Sequence, residues 1–408
     1  MRILHTADWH IGQTLNGWTR ESEHERWLQT LADVIEVEAV DVLLIAGDIF
    51  DGINPSGAAQ KLFYSALGQF KRRRPGLVTV ITSGNHDPAA RLEAPSPILT
   101  ALDVHVFASL RQTDDQTPDF AAHMIPLFAA GPDPVAWICA VPFLRAADLP
   151  GLSFAAEEGR GSPIVAAARR FYAAMAKAAR DIAGSAPILA MGHLHCAGAE
   201  ESEGAERRIL IGGEHALPVD VFPQAFDYVA LGHLHRPQNL DGGRIRYSGS
   251  PFPLSAAEVG YRHGVTLIEV AGGRLTHRHI DMPRPADVIR IPPTGAASFA
   301  EFEAALSQIT VSPDLPAGLH PFVYVNLQAD GPAAVLSTDA ERLLAAAPLR
   351  TAGLRVRKTA PIEAATAPLS LADTSPEALF RLAFAKANGV DPAPAHIAAF
   401  REAMTLEG

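Results

Sequence analysis

The feature that most constrains this chain is a recurring junction, in which a short apolar run ends in a polar segment carrying Asp, His or Asn. Ile3–Ala7 runs into Asp8-Trp9-His10, Val42–Ala46 into Gly47-Asp48-Ile49-Phe50-Asp51, and Leu77–Thr82 into Ser83-Gly84-Asn85-His86-Asp87. Farther along, Ile188–Ala190 leads to Gly192-His193-Leu194-His195, and Tyr228–Leu231 runs into Gly232-His233-Leu234-His235. Between the first junctions, Trp27, Leu28, Leu31, Val34 and Ile35 fall at helical spacing, and Leu62–Phe70 predicts a second helix. Strand, helix, strand, helix, strand is the pattern of an α/β domain. In such a sheet the carboxyl ends of the strands border the ligand crevice, so the polar clusters are expected to meet there.

Further strands are predicted at Val104–Phe107, Val135–Val141, Ile188–Met191, Ile209–Ile211, Tyr228–Leu231, Ile245–Tyr247 and Val265–Val270. A helix at Pro163–Ile182 starts with Ser162 as cap and Pro163 in its first turn. So many strands with few later helices point to two stacked mixed sheets. The pattern changes near Pro283: strands at Val288–Ile291, Phe322–Leu327 and Leu354–Val356 alternate with helices near Ser298–Gln308 and Thr338–Ala346, a small α+β module. A Pro/Ala/Thr stretch over 359–370 reads as a linker. Beyond it, over 371–408, two short helices carry Leu379, Phe380, Phe384, Ile397, Phe400 and Met404, whose apolar faces need the module or a partner to cover them.

Composition bounds the function. The 408 residues carry a formal net charge of −11, which excludes a basic nucleic-acid coat but not a nucleic-acid substrate. Two cysteines far apart, Cys139 and Cys196, and no apolar run near the roughly 20 residues of a membrane helix predict a cytoplasmic chain with no membrane contact. Carboxylate, imidazole and amide oxygen donors together suit divalent Mn²⁺, Fe²⁺ or Zn²⁺, and a pair of such ions is the general device for displacement at a phosphate ester. Cys196 reads as a buried thiol and His195 as a bystander. No Gly-Lys pair occurs, so an ATP site of the Walker type is excluded from this chain.

Taken together, Asp8-x-His10, Gly47-Asp48-x-x-Asp51, Gly84-Asn85-His86-Asp87, Gly192-His193 and Gly232-His233-x-His235 resemble the calcineurin-like metallophosphoesterase signature. More narrowly, Thr6–Gly12, Tyr228–Gln238 and Tyr247-Ser248-Gly249-Ser250-Pro251 resemble the SbcD family of bacterial nuclease subunits, densely over 1–270 and more loosely beyond. The resemblance implies a four-layer α/β/β/α sandwich over 1–282, a DNA-capping domain over 283–358 and a C-terminal partner-binding segment. It implies that Asp8, His10, Asp48 and His235 hold one Mn²⁺, that Asp48, Asn85, His193 and His233 hold the other, and that Asp48 bridges them. His86 corresponds to the family histidine that meets the scissile phosphate or protonates the leaving oxygen. Asp87 orients His86 or an adjacent group, or caps the turn; Asp51 lies behind the ligands or shapes its loop.

The activity so implied is Mn²⁺-dependent cleavage of double-stranded DNA ends, 3′→5′ exonucleolytic and also endonucleolytic near hairpins or blocked ends, in repair and recombination. The implied partners are an SbcC-type ATPase and a second copy of the chain. The rivals are another calcineurin-like phosphodiesterase or phosphatase, and a DNA-end tether whose metals are structural. Phosphate contact is expected from Lys71–Arg74 or from Arg20, Arg236, Arg244, Arg246 and Arg262, which fall near the predicted site loops, although the Lys71–Arg74 run also fits a solvated helix end.

Overall fold

The computed structural model describes the whole chain except 116, 150–161, 203–215, 330, 359–374, 389–390 and 407–408. The expected strand Ile209–Ile211 and the 359–370 linker therefore lie outside the described residues. The chain begins with β1 (Arg2–Thr6), a small hairpin of β2 (Thr14–Leu15) and β3 (Trp18–Thr19), α1 (Glu21–Val37), β4 (Val42–Ala46), α2 (Gly57–Arg73) and β5 (Val78–Thr82). Two short helices, α3 (Ala89–Glu93) and α4 (Ser96–Leu99), precede β6 (Val104–Phe107), β7 (Met124–Phe128), β8 (Pro134–Ala140) and α5 (Pro163–Ala183). Then follow β9 (Ile188–His193), β10 (Tyr228–Gly232), β11 (Gln238–Leu240), β12 (Ile245–Tyr247), β13 (Gly264–Ala271) and β14 (Arg274–Asp281).

Among the described residues these strands form two six-stranded sheets, ordered β14-β13-β1-β4-β5-β6 and β11-β12-β10-β9-β8-β7. Within them β1, β4, β5 and β6 run parallel, as do β8, β9, β10 and β12, while β13, β14, β7 and β11 pair antiparallel with their neighbours. The period-two alternation of strands explains the layering. Val42, Leu44 and Ala46 point inward to meet Leu189, Met191 and Ala230 of the second sheet. Leu43 and Ile45 point outward, under Trp27, Leu31 and Ile35 of α1 and Phe63, Leu67 and Phe70 of α2. On the far side, Ile188, Ala190 and Val229 meet Phe171 and Met175 of α5. Every strand of this centre is covered on both faces, which is why it reads as a continuous apolar run. The result is the expected α/β/β/α sandwich.

The later part holds β15 (Val288–Ile291), α6 (Phe299–Ser307), β16 (Phe322–Ala329), α7 (Ala333–Ala346) and β17 (Arg350–Lys358). Both strand pairings are parallel, so the expected α+β module is wound as a βαβαβ unit. Its helices are crossovers that cover one core of Ile291, Phe302, Val325, Leu327 and Leu344. Ser298 and Glu301 cap each other at the start of α6. The last helices, α8 (Pro376–Asn388) and α9 (Pro394–Leu406), pack on each other, with Phe380 and Phe400 stacked at 4.5 Å. Among the described residues, no helix is long and apolar enough to cross a membrane.

Leu44 lies wholly buried between the sheets. Leu44→Ala should lower unfolding stability by about 2–4 kcal/mol, read as an earlier urea midpoint with unchanged slope; an unchanged midpoint would contradict the close packing of the two sheets.

Candidate metal centre

The junctions leave β1, β4, β5, β9 and β10 at their carboxyl ends, and the stacked sheets bring these ends to one place. Three groups of side chains there each have their donor atoms within 4.8 Å of one another: Asp8, His10 and His235; Asp48, His193 and His233; and His10, Asp48 and His86. All seven of these residues are buried. The backbone is bent to achieve this, with Asp8, His10, Asp48 and His233 at φ 55°, 48°, 49° and 103°, left-handed values that side chains adopt at a cost. Gly84 is required by the same crowding, because a Cβ there would strike the Asp48 carboxylate.

Asp48 stands at the centre. Its Oδ1 accepts the His86 backbone N–H at 2.9 Å, while Oδ2 lies 3.6 Å from His10 Nε2 and 3.3 Å from His193 Nε2. One oxygen thus faces both ligand groups, one imidazole coming from each sheet. His193 Nδ1 lies 3.0 Å from the Ala46 carbonyl, to which it donates, and His193 Nε2 then lies 3.1 Å from Asn85 Oδ1. Asp8 Oδ1 accepts the His233 N–H at 2.8 Å, but among the described residues its buried Oδ2 has no hydrogen-bond partner, nor has His10 Nε2. Lone pairs converging on one another without donors are unfavourable for a bare protein and favourable around cations.

Carboxylates behind the imidazoles fix their orientation. His235 Nδ1 lies 3.0 Å from Glu258 Oε1, and His10 Nδ1 lies 3.3 Å from Asp51 Oδ1, which leaves each Nε2 facing inward. Asp51 therefore stands behind the candidate ligand His10. Glu258 was not singled out in the sequence; its signal is Ser255-x-x-Glu258, the spacing of a capping box. Asp87 does not meet His86, contrary to one of its expected roles. It accepts from the backbone N–H groups of Gly84 at 2.8 Å, Phe50 at 2.9 Å and Ile49 at 3.2 Å, clasping the Asp48 loop to the Asn85 loop. The His86 side chain instead donates through Nδ1 to the Asp51 carbonyl at 2.7 Å.

His195 lies outside the three groups, with Nδ1 2.9 Å from Glu201 Oε1. Cys196 is buried and its thiol is pushed up to about 12 by burial, so it is no thiolate ligand. Most of the cations expected to meet phosphate pair with residues of their own fold. Arg20 is buried against Glu23, Arg246 bonds Thr266 and Asn239, Arg244 pairs with Asp241, Arg262 with Asp281, and Arg236 with Glu200. Lys71 pairs with Asp103, Arg73 with Asp33 and Arg74 with Asp41. Three of the four cations of the α2 charge run are thus paired with neighbouring carboxylates, as a solvated helix end would be.

Charge coupling within the cluster is strong. Burial raises the Asp8 carboxyl to about 7, with the Asp48 charge adding to it against the pull of His193 and His235. Burial opposes the imidazolium of His193, yet Asp48 and Asp8 outweigh it and hold that ring up at about 9. For Asp48 burial is again overcome, by His193 and His10, and its carboxyl sits well below the ordinary value. Burial pushes His10 and His233 down, keeping those rings neutral.

A cation must displace the protons of His193 and Asp8, so its affinity should climb with pH. For chelator-stripped protein titrated with Mn²⁺, the rise should reach about tenfold per pH unit between 7 and 9, steepen below 7 and level off above 9. Calorimetry in buffers of different ionisation heat counts the protons released. A flat affinity from pH 6 to 9 would contradict this charge arrangement.

The comparisons with known proteins agree with this geometry. The family model of the calcineurin-like phosphoesterases matches residues 1–237. The chain is 54% identical to the SbcD subunit of the SbcCD nuclease from Rhodobacter capsulatus over 385 residues, 94% of each chain. It is 36% identical to the SbcD subunit from Escherichia coli K12, over 67% of this chain and 66% of that one, and 34% identical to that of Bacillus subtilis over 67% of each. Carboxylates and imidazoles gathered at the meeting carboxyl ends of two stacked sheets, a family model covering more than half of the chain and relatives of this closeness have one reading: the chain belongs to the calcineurin-like phosphoesterase family, alongside the SbcD nuclease subunits.

Proposed function

We propose that this chain is the nuclease subunit of an SbcCD-type complex, cleaving phosphodiester bonds at double-stranded DNA ends and near hairpins or blocked ends, with 3′→5′ polarity, in repair and recombination. The observation that carries the reading is Asp48 Oδ2, set between His10 Nε2 and His193 Nε2 as a shared donor of two ligand groups. Asp8, His10, Asp48 and His235 would hold one divalent ion, and Asp48, Asn85, His193 and His233 the other. Mn²⁺ suits this mixed oxygen and nitrogen set. Two such ions supply Lewis-acid polarisation of the phosphodiester and an acidified water at neutral pH.

The chain's own residues do the rest. Glu258 and Asp51 hold the His235 and His10 rings in the tautomer that offers Nε2 inward. The Asp51 carbonyl holds Nδ1–H of His86, so Nε2 is the atom that carries a proton to the leaving ester oxygen. His86→Ala should then cut hydrolysis of end-labelled duplex and hairpin DNA in Mn²⁺ by about 10²–10⁴-fold, with metal content by mass spectrometry nearly unchanged. Loss of both metals from this variant would make His86 a ligand instead. In the same assay, cleavage of a small chromogenic diester without cleavage of DNA would favour a general phosphodiesterase, and metal uptake without any cleavage a structural tether.

ATP control needs a second chain, since the sequence holds no Walker segment. The relatives carry the name of one component of SbcCD, and the α8–α9 pair offers a compact helical unit with a partly buried aromatic seam for an SbcC-type ATPase to engage. A homodimer, a DNA-capping role for the 283–358 module and a cytoplasmic location belong to the same proposal and rest on the family resemblance; the two buried free thiols fit a reducing compartment. Deleting 371–408 should leave basal cleavage intact and weaken capture of the ATPase in a pull-down. Undiminished capture would remove that role from the tail.

A further inference from the structure

We propose that Arg350, in the small module, is a positioning residue for the ligand group of Asp8, His10 and His235; the inference rests on the reading of that group as a metal position. Arg350 is buried, 2% exposed, although it lies far from the centre in sequence. Its Nη1 donates to Glu23 Oε1 at 2.9 Å, and its Nε to the His320 carbonyl at 2.7 Å. Glu23, wholly buried in the first turn of α1, also accepts from Arg20 Nε at 3.1 Å and Nη2 at 2.5 Å. The module's Phe322 ring lies between the two cations, 3.7 Å from the Arg350 guanidinium and 5.4 Å from that of Arg20. Buried charges of this kind hold one geometry because each alternative leaves an ion unpaired.

Arg20 passes that geometry on to the metal centre. Its Nη1 donates to the Pro253 carbonyl at 2.7 Å and to Gln13 Oε1 at 3.1 Å. Gln13 donates through its backbone N–H to the His10 carbonyl and through Nε2 to the Leu254 carbonyl. The Leu254 N–H in turn donates to Oε2 of Glu258 at 2.9 Å, the carboxylate whose other oxygen orients His235. One guanidinium therefore grips both segments, 10–13 and 253–258, that carry the His10 backbone and the Glu258 partner of His235. With Arg350 in place, Glu23 is pinned from two sides; without it, the Arg20–Glu23 pair can swing as a unit and loosen both segments. The other group, built on Asn85, His193 and His233, stands outside this chain of bonds.

The test is calorimetric titration of Mn²⁺ into metal-stripped full-length protein, with a melting curve for each variant. In Arg350→Met one of the two Mn²⁺ affinities should fall by about 3–10-fold, less than removal of a direct orienting partner causes, while the other is unchanged. Arg350→Lys, which restores a cation beside Glu23, should recover most of the loss. Tyr324→Phe, which breaks the Tyr324–Asn16 contact across the same junction but leaves the charges alone, should change neither affinity. If Arg350→Met does not fold, Phe322→Leu carries the test, because it removes the ring that both cations share and should show the same selective weakening. Two unchanged affinities, or an equal fall in both with a lowered melting temperature, would overturn the positioning role. A wild-type protein that takes up fewer than two Mn²⁺ would instead overturn the metal reading itself.

Discussion

Everything at the centre depends on one carboxylate being held where bare protein would not keep it. Asp48 is 2% exposed, and the oxygen that faces His10 and His193 accepts no hydrogen bond from the backbone. Removing an ion from water costs several kcal/mol even after relaxation, a cost that only neighbouring positive charge offsets. In the cation-free protein the offset comes from the proton on His193. Replacing that proton by divalent charge keeps the same electrostatic logic and strengthens it. The left-handed backbone at Asp8, His10, Asp48 and His233 is a second cost, and the packing of two sheets over their whole shared face is what supports it.

The proposed polyanionic substrate has to be reconciled with the chain's formal net charge of −11. The arginines nearest the site loops are bound to carboxylates and carbonyls of their own fold. A pair of dications at the candidate positions would add a formal charge of about +4 there. Binding of a phosphodiester would be tied to metal occupancy more closely than to a broad basic face.

Most of the sandwich was legible because its strands are buried on both faces and so appear as unbroken apolar runs ending in polar turns. The side chains that the three groups bring together were legible for a related reason: each sits at or within a few residues of a strand end, where direction is set by the strand. The β2–β3 hairpin was readable in principle from Asn16-Gly17, both at positive φ, but strands of two residues carry no periodicity. β14 exposes alternate residues and carries His277, His279 and charged neighbours, so its apolar content is too low for a strand to announce itself. Glu258, Asp51 and Asp87 show the deeper limit. Whether a carboxylate binds a metal, steadies a ligand or clasps two loops is decided by which backbone groups surround it, and local sequence does not contain that information.

The module's attachment shows why buried charge can be preferable to grease between two units. Apolar faces tolerate sliding by an ångström or two because their attraction is non-directional. A carboxylate shared by two guanidiniums tolerates little displacement, since each hydrogen bond lost there leaves a buried charge exposed to a low dielectric. Trp18 adds a directional bond of the same kind, donating from Nε1 to the Thr351 carbonyl at 2.9 Å. Such bonds contribute modestly to net stability but narrow the set of orientations the module can take. A centre whose ligands must converge from two sheets needs that kind of support. The segments after His10 and before Glu258, which no strand holds, are the ones the charged contacts reach.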